Sequence, residues 1–473
     1  MERLTGHDAS FIYLETPTHY HQSVGLILLD PSPMPGGYSF DTVRKWLAER
    51  MAGIPIYAEK AYDPWYNLGH PVWAADESFD LDRHLHHRTL PSPGTREQLA
   101  QHIGEICGKP LDPTLPLWEM TIIDGLEDGN VAVILKRHNA SLDGVSGNSQ
   151  LGQLCGNAAT EYSIVRNAGP AQPAAIARSG LKEFAAKPVK LARLLGKSLV
   201  DTVTKKTPPL PEGVPPSLSA PRTSFNTTLT QNRNVAWATF PMAEMKQVKR
   251  ELGVTLNDVI LALTSTALRN YLLGRNELPD TSLQAFVPVS VHDMPGQHGR
   301  NQTTGLLTSL ETRMADPVDR AMAIAASTNA AKEHAAALGP SLFHDWFELA
   351  ARYWGTFLRW YSRLRLADRH AVMQNVVVSN MGGRHRDLRF AGARVIDFYP
   401  FGSLFDGGAI FVGVASIEDQ LNIGLIACPE IVPDLDGIAD GYLAAFAELR
   451  EALDKRADLA ADSEGSESSY VAK

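Results

Sequence analysis

The sequence predicts an α/β fold arranged as two domains. Its 473 residues exceed what a single hydrophobic core usually organises, which favours two domains. Short apolar runs rich in β-branched residues, such as 131–135, alternate with segments of helical periodicity, such as 145–154. From about residue 156 to 233 the chain becomes first basic and then proline-rich, as is typical of a connection between domains. We predict an N-terminal domain at 1–155, a linker at 156–233, a C-terminal domain at 234–459 and a disordered polar tail at 460–473.

Composition and charge argue against several classes of protein. The formal net charge of −9 argues against a general nucleic-acid-binding protein. Cys107, Cys155 and Cys428 lie far apart, without the spacing of metal ligands or of a disulfide framework, so we expect no metal and a reducing compartment. The N-terminal residues lack the pattern of a signal peptide, and no uncharged apolar run is long enough to cross a bilayer. We therefore expect a cytoplasmic protein.

The first half of the chain contains alternating strand and helix signals. Strands are predicted at 23–29, 120–123 and 131–135, and helices at 40–51, 96–107 and 145–154. Ser39 is a suitable N-cap for the first of these helices, and Thr95 with Gln98 forms a capping box for the second. Trp118 stands just before the strand at 120–123, where a packed tryptophan is expected.

The strand at 131–135 leads into the stretch where chemistry is expected. It is followed by His138 and Asn139 and then by a sharp turn that contains Asp143 and Gly144. A strand end that meets a helix N-terminus holds polar side chains in fixed positions, which suits a reaction site. Alternatively, this stretch is an ordinary strand-turn-helix corner in which Asn139 and Asp143 form the turn.

The second half of the chain also contains alternating strand and helix signals. Helices are predicted at 255–271 and 435–453, and strands at 286–291, 376–380 and 421–427. Asn257 and Asp258 lie in the first turn of a helix, where capping alone explains amide and acidic groups. Ser379 and Asn380 end an apolar strand, where they either donate hydrogen bonds to a developing oxyanion or start a turn.

Several motifs, taken together and in order, resemble a known family. His138-Asn139-x-x-x-Asp143-Gly144 resembles the HHxxxDG signature of the acyl-CoA-dependent acyltransferase superfamily. The other matches resemble the bacterial wax ester synthase/diacylglycerol acyltransferase family. They comprise the opening at 4–15, Pro116-Leu117-Trp118-Glu119, LNDVILA at 256–262, PVSV at 288–291, Asn301-Gln302 and Ser379-Asn380.

The resemblance implies a fold and an activity. It implies two chloramphenicol-acetyltransferase-like domains with the active-site channel between them. The implied reaction transfers an acyl group from acyl-CoA, a co-substrate, to diacylglycerol or a long-chain alcohol, without a metal or other cofactor. By the resemblance, the catalytic positions are Asn139, His138, Asp143 and Gly144. The implied substrate-binding positions are Pro116, Leu117, Trp118, Asn257, Asp258, Asn301, Ser379 and Asn380.

The chain departs from the family at Asn139, where the family has its general-base histidine. An amide cannot accept the proton that leaves the attacking hydroxyl, and loss of a general base costs on the order of 10²–10⁴ in rate. One hypothesis is an acyltransferase of impaired or altered turnover, in which His138, substrate or water moves the proton, or in which this chain is a substituted form. The other is an impaired paralogue that binds lipid or acyl-CoA. A condensation enzyme with a carrier-bound acyl group fits the motifs less well.

Two segments indicate contact with lipid. Between 182 and 199, lysine and arginine alternate with leucine, which suits either the surface of an anionic membrane or a solvated linker helix. The segment 342–366 is rich in aromatic residues, which suits core packing, a lipid channel or a membrane-facing patch. We expect a location peripheral to the inner membrane or to lipid droplets.

Overall fold

The computed structural model describes residues 1–141, 152, 154–155, 169–204, 209–290, 303–338, 354–382 and 385–470. The first seven strands are β1 (Glu2–Arg3), β2 (Gln22–Asp30), β3 (Glu59–Tyr62), β4 (Val72–Ala75), β5 (Leu85–Thr89), β6 (Trp118–Asp124) and β7 (Val131–His138). The others are β8 (Asn234–Pro241), β9 (Gln284–Ser290), β10 (Thr303–Ser309), β11 (Val376–Asn380), β12 (Arg389–Phe390), β13 (Ala393–Phe401), β14 (Ile410–Ile417) and β15 (Gln420–Ala427).

Helices complete the α/β architecture that the sequence predicts. They are α1 (Gly6–Tyr13), α2 (Phe40–Ala52), α3 (Arg96–Cys107), α4 (Pro173–Thr204), α5 (Met242–Leu252), α6 (Leu256–Gly274), α7 (Pro317–Leu338), α8 (354–363) and α9 (Leu435–Tyr470). The predicted N-cap of α2 and the capping box of α3 are confirmed, because Ser39 accepts from Thr42 and Thr95 exchanges hydrogen bonds with Gln98.

Two six-stranded sheets form the body of the molecule. The first has the strand order β12-β13-β2-β7-β6-β5, and the second has the order β10-β9-β11-β14-β15-β8. A small sheet, β1-β4-β3, accompanies them. Side chains of β2 alternate between two cores, since Leu26 joins the cluster that contains Leu99 of α3 and Ile27 joins the one that contains Leu47 of α2. Helices therefore cover both faces of the first sheet.

Strand β13 comes from the second half of the chain but belongs to the first sheet. It pairs antiparallel with β2, and Phe401 lies opposite Val24. At its end, Pro400 is packed against the second sheet so closely that a Cβ added at Gly413 or Gly424 would overlap the Pro400 carbonyl oxygen. Strand β13 therefore contacts both sheets, which also share one buried hydrophobic cluster. The predicted domain boundaries stay predictions.

The predicted linker and the predicted tail both contain more helix than the sequence suggested. The basic amphipathic stretch forms α4, which Arg3 fixes through Glu183 at 3.3 Å and Ser179 at 2.7 Å. Helix α9 continues to Tyr470, beyond the predicted start of the tail at residue 460, and the predicted disorder of the tail stays a prediction. Proline is absent from 454–470 and Arg456 pairs with Asp316 at 2.7 Å, so the helix is not stopped where its apolar periodicity ends.

A helix that crosses a bilayer must be both long and apolar. Within the described ranges, every single helix falls short of the length and apolarity required to cross a bilayer, and one pair bent by 97°, Met242–Leu252 with Leu256–Gly274, meets those requirements jointly.

The close approach at Gly413 yields a testable prediction. Replacing it by alanine places a methyl group on the Pro400 carbonyl, so we expect Gly413→Ala to lower the free energy of unfolding by roughly 1–3 kcal/mol. Thermal unfolding measures the change. Gly274→Ala is the matched control, because a Cβ there meets no atom within 4 Å. Equal melting temperatures for the two variants would contradict the crossing-strand geometry.

Candidate active site

The end of β7 sends His138 and Asn139 in opposite directions. His138 ends the strand, and a short 3-10 helix, Asn139–Ser141, follows it. The Asn139 N–H donates to the His21 carbonyl at 2.8 Å, whereas the His138 N–H donates to the Leu117 carbonyl at 3.1 Å. Adjacent residues at a strand end face opposite sides of the sheet. The two motif side chains therefore meet different surroundings.

His138 is buried with both ring nitrogens engaged. The Ala140 N–H donates to its Nδ1 at 3.1 Å, so the ring proton is on Nε2, which lies 3.2 Å from Oε1 of Glu15. A nitrogen that already accepts a backbone N–H has no free lone pair for a substrate proton. His138 therefore holds the turn together and does not face a reacting hydroxyl. Sequence reasoning missed Glu15, whose partner is 123 positions away in the chain.

Asn139 is held by two serines. Ser23 of β2 donates to Asn139 Oδ1 at 2.7 Å, and Asn139 Nδ2 donates to Ser403 Oγ at 3.1 Å. Ser403 in turn donates to the Gln22 carbonyl at 3.1 Å. Both ends of the amide are occupied, and neither can take up a proton near neutral pH. Ser23 and Ser403 carry no local sequence signal and were not predicted.

A cavity lies between the two sheets beside this amide. The volume of the cavity is ≈ 150 Å³. The empty space around it, which includes the part open to solvent, is ≈ 740 Å³. Its polar lining consists of Ser23, Arg137 and Ser379. Its apolar lining includes Ile27, Leu135, Met381, Phe398, Phe401 and Phe411. The predicted channel between two domains is present, and its wall is suited to a hydrocarbon chain.

A second, smaller cavity lies beyond Asn139. Its volume is ≈ 20 Å³, and its polar lining residues include Tyr20, Gln22, Arg233 and Ser403. The two cavities share Val24, Phe401 and Gly402 as lining residues. Because Ser23 lines the larger cavity and Ser403 the smaller, the Asn139 amide bridges a residue of each.

The predicted substrate-binding residues divide into three groups. Ser379 lines the larger cavity, opposite Ser23, and Asn380 is its neighbour at the end of β11. Leu117 and Trp118 are buried beneath the site, where Trp118 Nε1 donates to the Tyr57 carbonyl at 2.7 Å, and Pro116 precedes them. Leu117 and Trp118 support β7, and neither of them lines a cavity.

The remaining predicted residues lie elsewhere or outside the described part. Asp258 completes a capping box with Thr255 at the start of α6, and Asn257 precedes it. Neither residue lines the two cavities, capping accounts for Asp258, and the role of both residues in substrate binding stays a prediction. Asp143, Gly144 and Asn301 lie outside the described residues. From the sequence we also expect Asp143 to fix the turn through a charged hydrogen bond, most plausibly to an arginine, and this too stays a prediction.

Two further histidines stand near the site. His19 and His21 are buried with ring centroids 4.4 Å apart, and both contact Phe405. Burial, with a smaller contribution from Arg233, lowers the pKa of His19 to about 4. Burial also holds the pKa of His21 well below its usual value. Both imidazoles are therefore neutral at pH 7. Among the described residues no group of three or more potential metal ligands occurs.

Comparisons with known proteins agree with this geometry. Residues 4–260 match the model of the wax ester synthase/diacylglycerol acyltransferase catalytic domain, and residues 300–450 match that of the WS/DGAT C-terminal domain. A Mycobacterium tuberculosis H37Rv protein, named there as a candidate diacylglycerol O-acyltransferase, is 39% identical over 461 residues, covering 96% of this chain and 91% of the relative.

Solved structures show the same architecture. The wax ester synthase/diacylglycerol acyltransferase from Marinobacter aquaeolei VT8 matches with a TM-score of 0.67 and 25% identity, over 95% of this chain and 99% of that one. The first condensation domain of the calcium-dependent antibiotic synthetase matches with a TM-score of 0.53 and 15% identity, over 96% of each chain, which bears on the fold alone. The two-domain α/β prediction is confirmed.

The buried His19 predicts a pH dependence of stability. Its pKa is about 4 in the folded chain and near 6.5 once exposed, so the unfolded chain binds the proton at higher pH. Stability should therefore fall as the pH drops from about 6.5 towards 4. We expect His19→Gln to lose less melting temperature between pH 7 and pH 5 than the unsubstituted protein. Equal losses would show that His19 is not buried as a neutral imidazole.

Proposed function

The chain belongs to the wax ester synthase/diacylglycerol acyltransferase family, and we propose that it moves a long-chain acyl group from acyl-CoA to diacylglycerol or a long-chain alcohol with reduced turnover. The observation that carries the proposal is the apolar cavity whose polar end is formed by Ser23, bonded to Asn139, and Ser379. A cavity of this kind receives a hydrocarbon chain and places its reactive end among a few polar groups.

The reaction requires one proton to change place. The acceptor's hydroxyl oxygen forms a bond to the thioester carbonyl carbon, the carbon–sulfur bond breaks, and the CoA thiolate takes up the proton that the hydroxyl releases. A base must hold that proton in between. Asn139 occupies the position for this base but offers an amide that is already bonded to Ser23 and Ser403.

His138 is a poor replacement for the missing base. Its Nδ1 accepts from the Ala140 N–H, and its Nε2 points to Glu15, away from the Asn139 side chain and its serine partners. Proton transfer must then pass through water or through substrate, which supports the proposal of low turnover. Ser379 also lines the cavity, and its proposed role is to donate a hydrogen bond to the thioester carbonyl as it becomes an oxyanion.

A second candidate function is binding without turnover. The hydrogen bonds of Asn139 favour this candidate, because they are complete without any substrate. In that case the cavity holds the acyl chain of acyl-CoA or of another lipid, and the protein acts as a carrier or regulator. The two candidates differ in turnover and share the ligand.

A histidine introduced at position 139 distinguishes acyl transfer from binding without turnover. We expect Asn139→His to release CoA thiol from palmitoyl-CoA, with dioleoylglycerol or hexadecanol as acceptor, on the order of 10²–10⁴ faster than the unsubstituted chain. Asn139→Gln is the matched control, because it changes the side chain without adding an imidazole. Equal and measurable rates for all three proteins would refute the role of residue 139. Binding of acyl-CoA without turnover in all three would favour the carrier.

We also propose that the protein works at a lipid surface, peripheral to the inner membrane or to lipid droplets. Helix α8 exposes Trp354, Phe357 and Trp360, and Leu364 directly after it is also exposed, each by 46–58%. These residues recur at spacings of three and four, so they share one helix face. Exposed arginines at 359 and 363 accompany them, which suits anionic headgroups.

Packing of α8 against α1 fixes the orientation of this face. Gly355 is buried against α1, and a Cβ there would overlap the Tyr13 carbonyl oxygen. The helix therefore cannot turn its aromatic residues inward without losing this packing. Helix α4 offers a further set of exposed apolar residues, namely Leu181, Phe184, Val189, Leu191 and Leu195.

Vesicle binding tests the surface. We expect Trp360→Ala to weaken partitioning onto phosphatidylglycerol vesicles roughly tenfold, because one large buried apolar side chain contributes about 1.5–3 kcal/mol. Trp65→Ala is the matched control, since Trp65 is 93% exposed but lies outside this face. Sedimentation with vesicles measures both. Unchanged partitioning of Trp360→Ala would remove α8 from the proposed contact.

A further inference from the structure

Glu15 stands where the start of β2 and the end of β7 meet. It follows Tyr13, the last residue of α1, by two positions. Its Oε1 accepts the His21 N–H at 3.1 Å and lies 3.2 Å from Nε2 of His138. A single carboxylate oxygen therefore bonds both to the residue that precedes β2 and to the last residue of β7.

Both partners of Glu15 are in turn bonded to the backbone around position 139. The His21 carbonyl accepts the Asn139 N–H at 2.8 Å. Nδ1 of the His138 ring accepts the Ala140 N–H at 3.1 Å. The backbone N–H groups of residues 139 and 140 are thus held by two groups that are bonded to the same carboxylate. Glu15 therefore fixes the backbone from which the side chain of residue 139 projects.

Helix α1 holds Glu15 in this position. Thr5 caps the helix by accepting the Asp8 N–H. Ala9 of α1 and Ala140 of the short 3-10 helix belong to one buried hydrophobic cluster, so α1 is packed on the turn that carries residue 139. The carboxylate at the end of α1 is therefore placed by a rigid element rather than by a free loop.

The charge of Glu15 strengthens these bonds. A hydrogen bond to a carboxylate is roughly twice as strong as one between neutral groups. His138 is buried, so the loss of its acceptor leaves the Nε2–H group without a partner and without access to bulk water. The turn at 139–141 would then lose the group that holds the imidazole, and with it the anchor of the Ala140 N–H.

We propose that Glu15 is a positioning residue for the side chain at position 139. Glu15 lines neither cavity, so it acts through the backbone, whereas Ser23 and Ser403 hold the Asn139 side chain directly. Misplacement of a reacting group by about 1 Å costs on the order of 10²-fold in rate. The functional part of this inference rests on the proposed acyl transfer, and its structural part does not.

Kinetics of a double substitution test the functional part. In the Asn139→His protein, Glu15→Met should lower kcat for thiol release from palmitoyl-CoA roughly 10- to 100-fold and leave KM nearly unchanged. Glu15→Gln keeps an oxygen acceptor and should recover most of this kcat. In the chain with Asn139, which supplies no base, Glu15→Met should change the rate by less than about threefold. Losses of equal size in both backgrounds would show that Glu15 has a merely structural role.

Glu119→Met is the matched control. The Glu119 side chain is 31% exposed against 30% for Glu15, and it also pairs with a buried residue of β7, Lys136, at 3.5 Å. Its removal takes a carboxylate from the same strand, three residues before position 139. We expect the Asn139→His protein to keep its kcat within about threefold when Glu119→Met is added. A loss as large as that of Glu15→Met would contradict a specific role of Glu15.

Hydrogen exchange of the full chain tests the structural part without any turnover. In the peptide that contains the Asn139 and Ala140 amides, Glu15→Met should speed exchange roughly 10- to 100-fold, because a bond to a charged acceptor is lost. Glu15→Gln and Glu119→Met should leave this exchange close to that of the unsubstituted chain. If Glu15→Met does not fold, Glu15→Asp takes its place, since it withdraws the carboxylate by one methylene group and should also speed exchange.

The two measurements keep this inference apart from the proposed function. If Asn139→His releases no thiol, the proposed acyl transfer fails, and hydrogen exchange still decides whether Glu15 fixes the backbone at position 139. Unchanged exchange in Glu15→Met, or in Glu15→Asp where it replaces that variant, would overturn the inference even if Asn139→His is active.

Discussion

The packing of Pro400 against Gly413 and Gly424 is the constraint on which the site depends. It presses the end of β13, a strand of the first sheet, onto the second sheet, with room for backbone atoms but none for a side chain. Phe401 then lines the larger cavity, and Ser403 comes within hydrogen-bond distance of Asn139. This contact, with the hydrogen bonds between Thr239 and Tyr399 and from Asn422 to Asp397, brings residues that are far apart in the chain together.

Alternation along β7 assigns different tasks to neighbouring side chains. Arg137 and Asn139 face the side of Ser23, where the cavity lies, whereas His138 faces Glu15 and keeps the turn in shape. A motif of two adjacent polar residues thus provides one residue for structure and one for chemistry. In this chain the residue on the cavity side is an amide, bonded to Ser23 and Ser403, which cannot accept a proton near neutral pH.

The sequence could predict what local patterns encode. The capping box at Thr95, the strand predicted at 131–135 and the cap at Asp258 all rest on neighbours within a few positions, and the structure contains each of them, with the strand extended to His138. Ser403 could not be found in this way, because its partner lies 264 positions away. The joining of β13 to β2 is likewise invisible to periodicity, since an edge strand and a central strand have the same alternation.

The crossing of β13 has a consequence for how the protein is made. The edge of β2 that will bond to 393–401 is synthesised early, but its partner leaves the ribosome only after most of the chain. At roughly 5–20 residues per second this edge waits for tens of seconds with unpaired backbone groups. The nascent first half is therefore exposed to edge-to-edge association, and a gene split between the two halves would encode a first fragment whose sheet is complete only after the second fragment has added β13 to it.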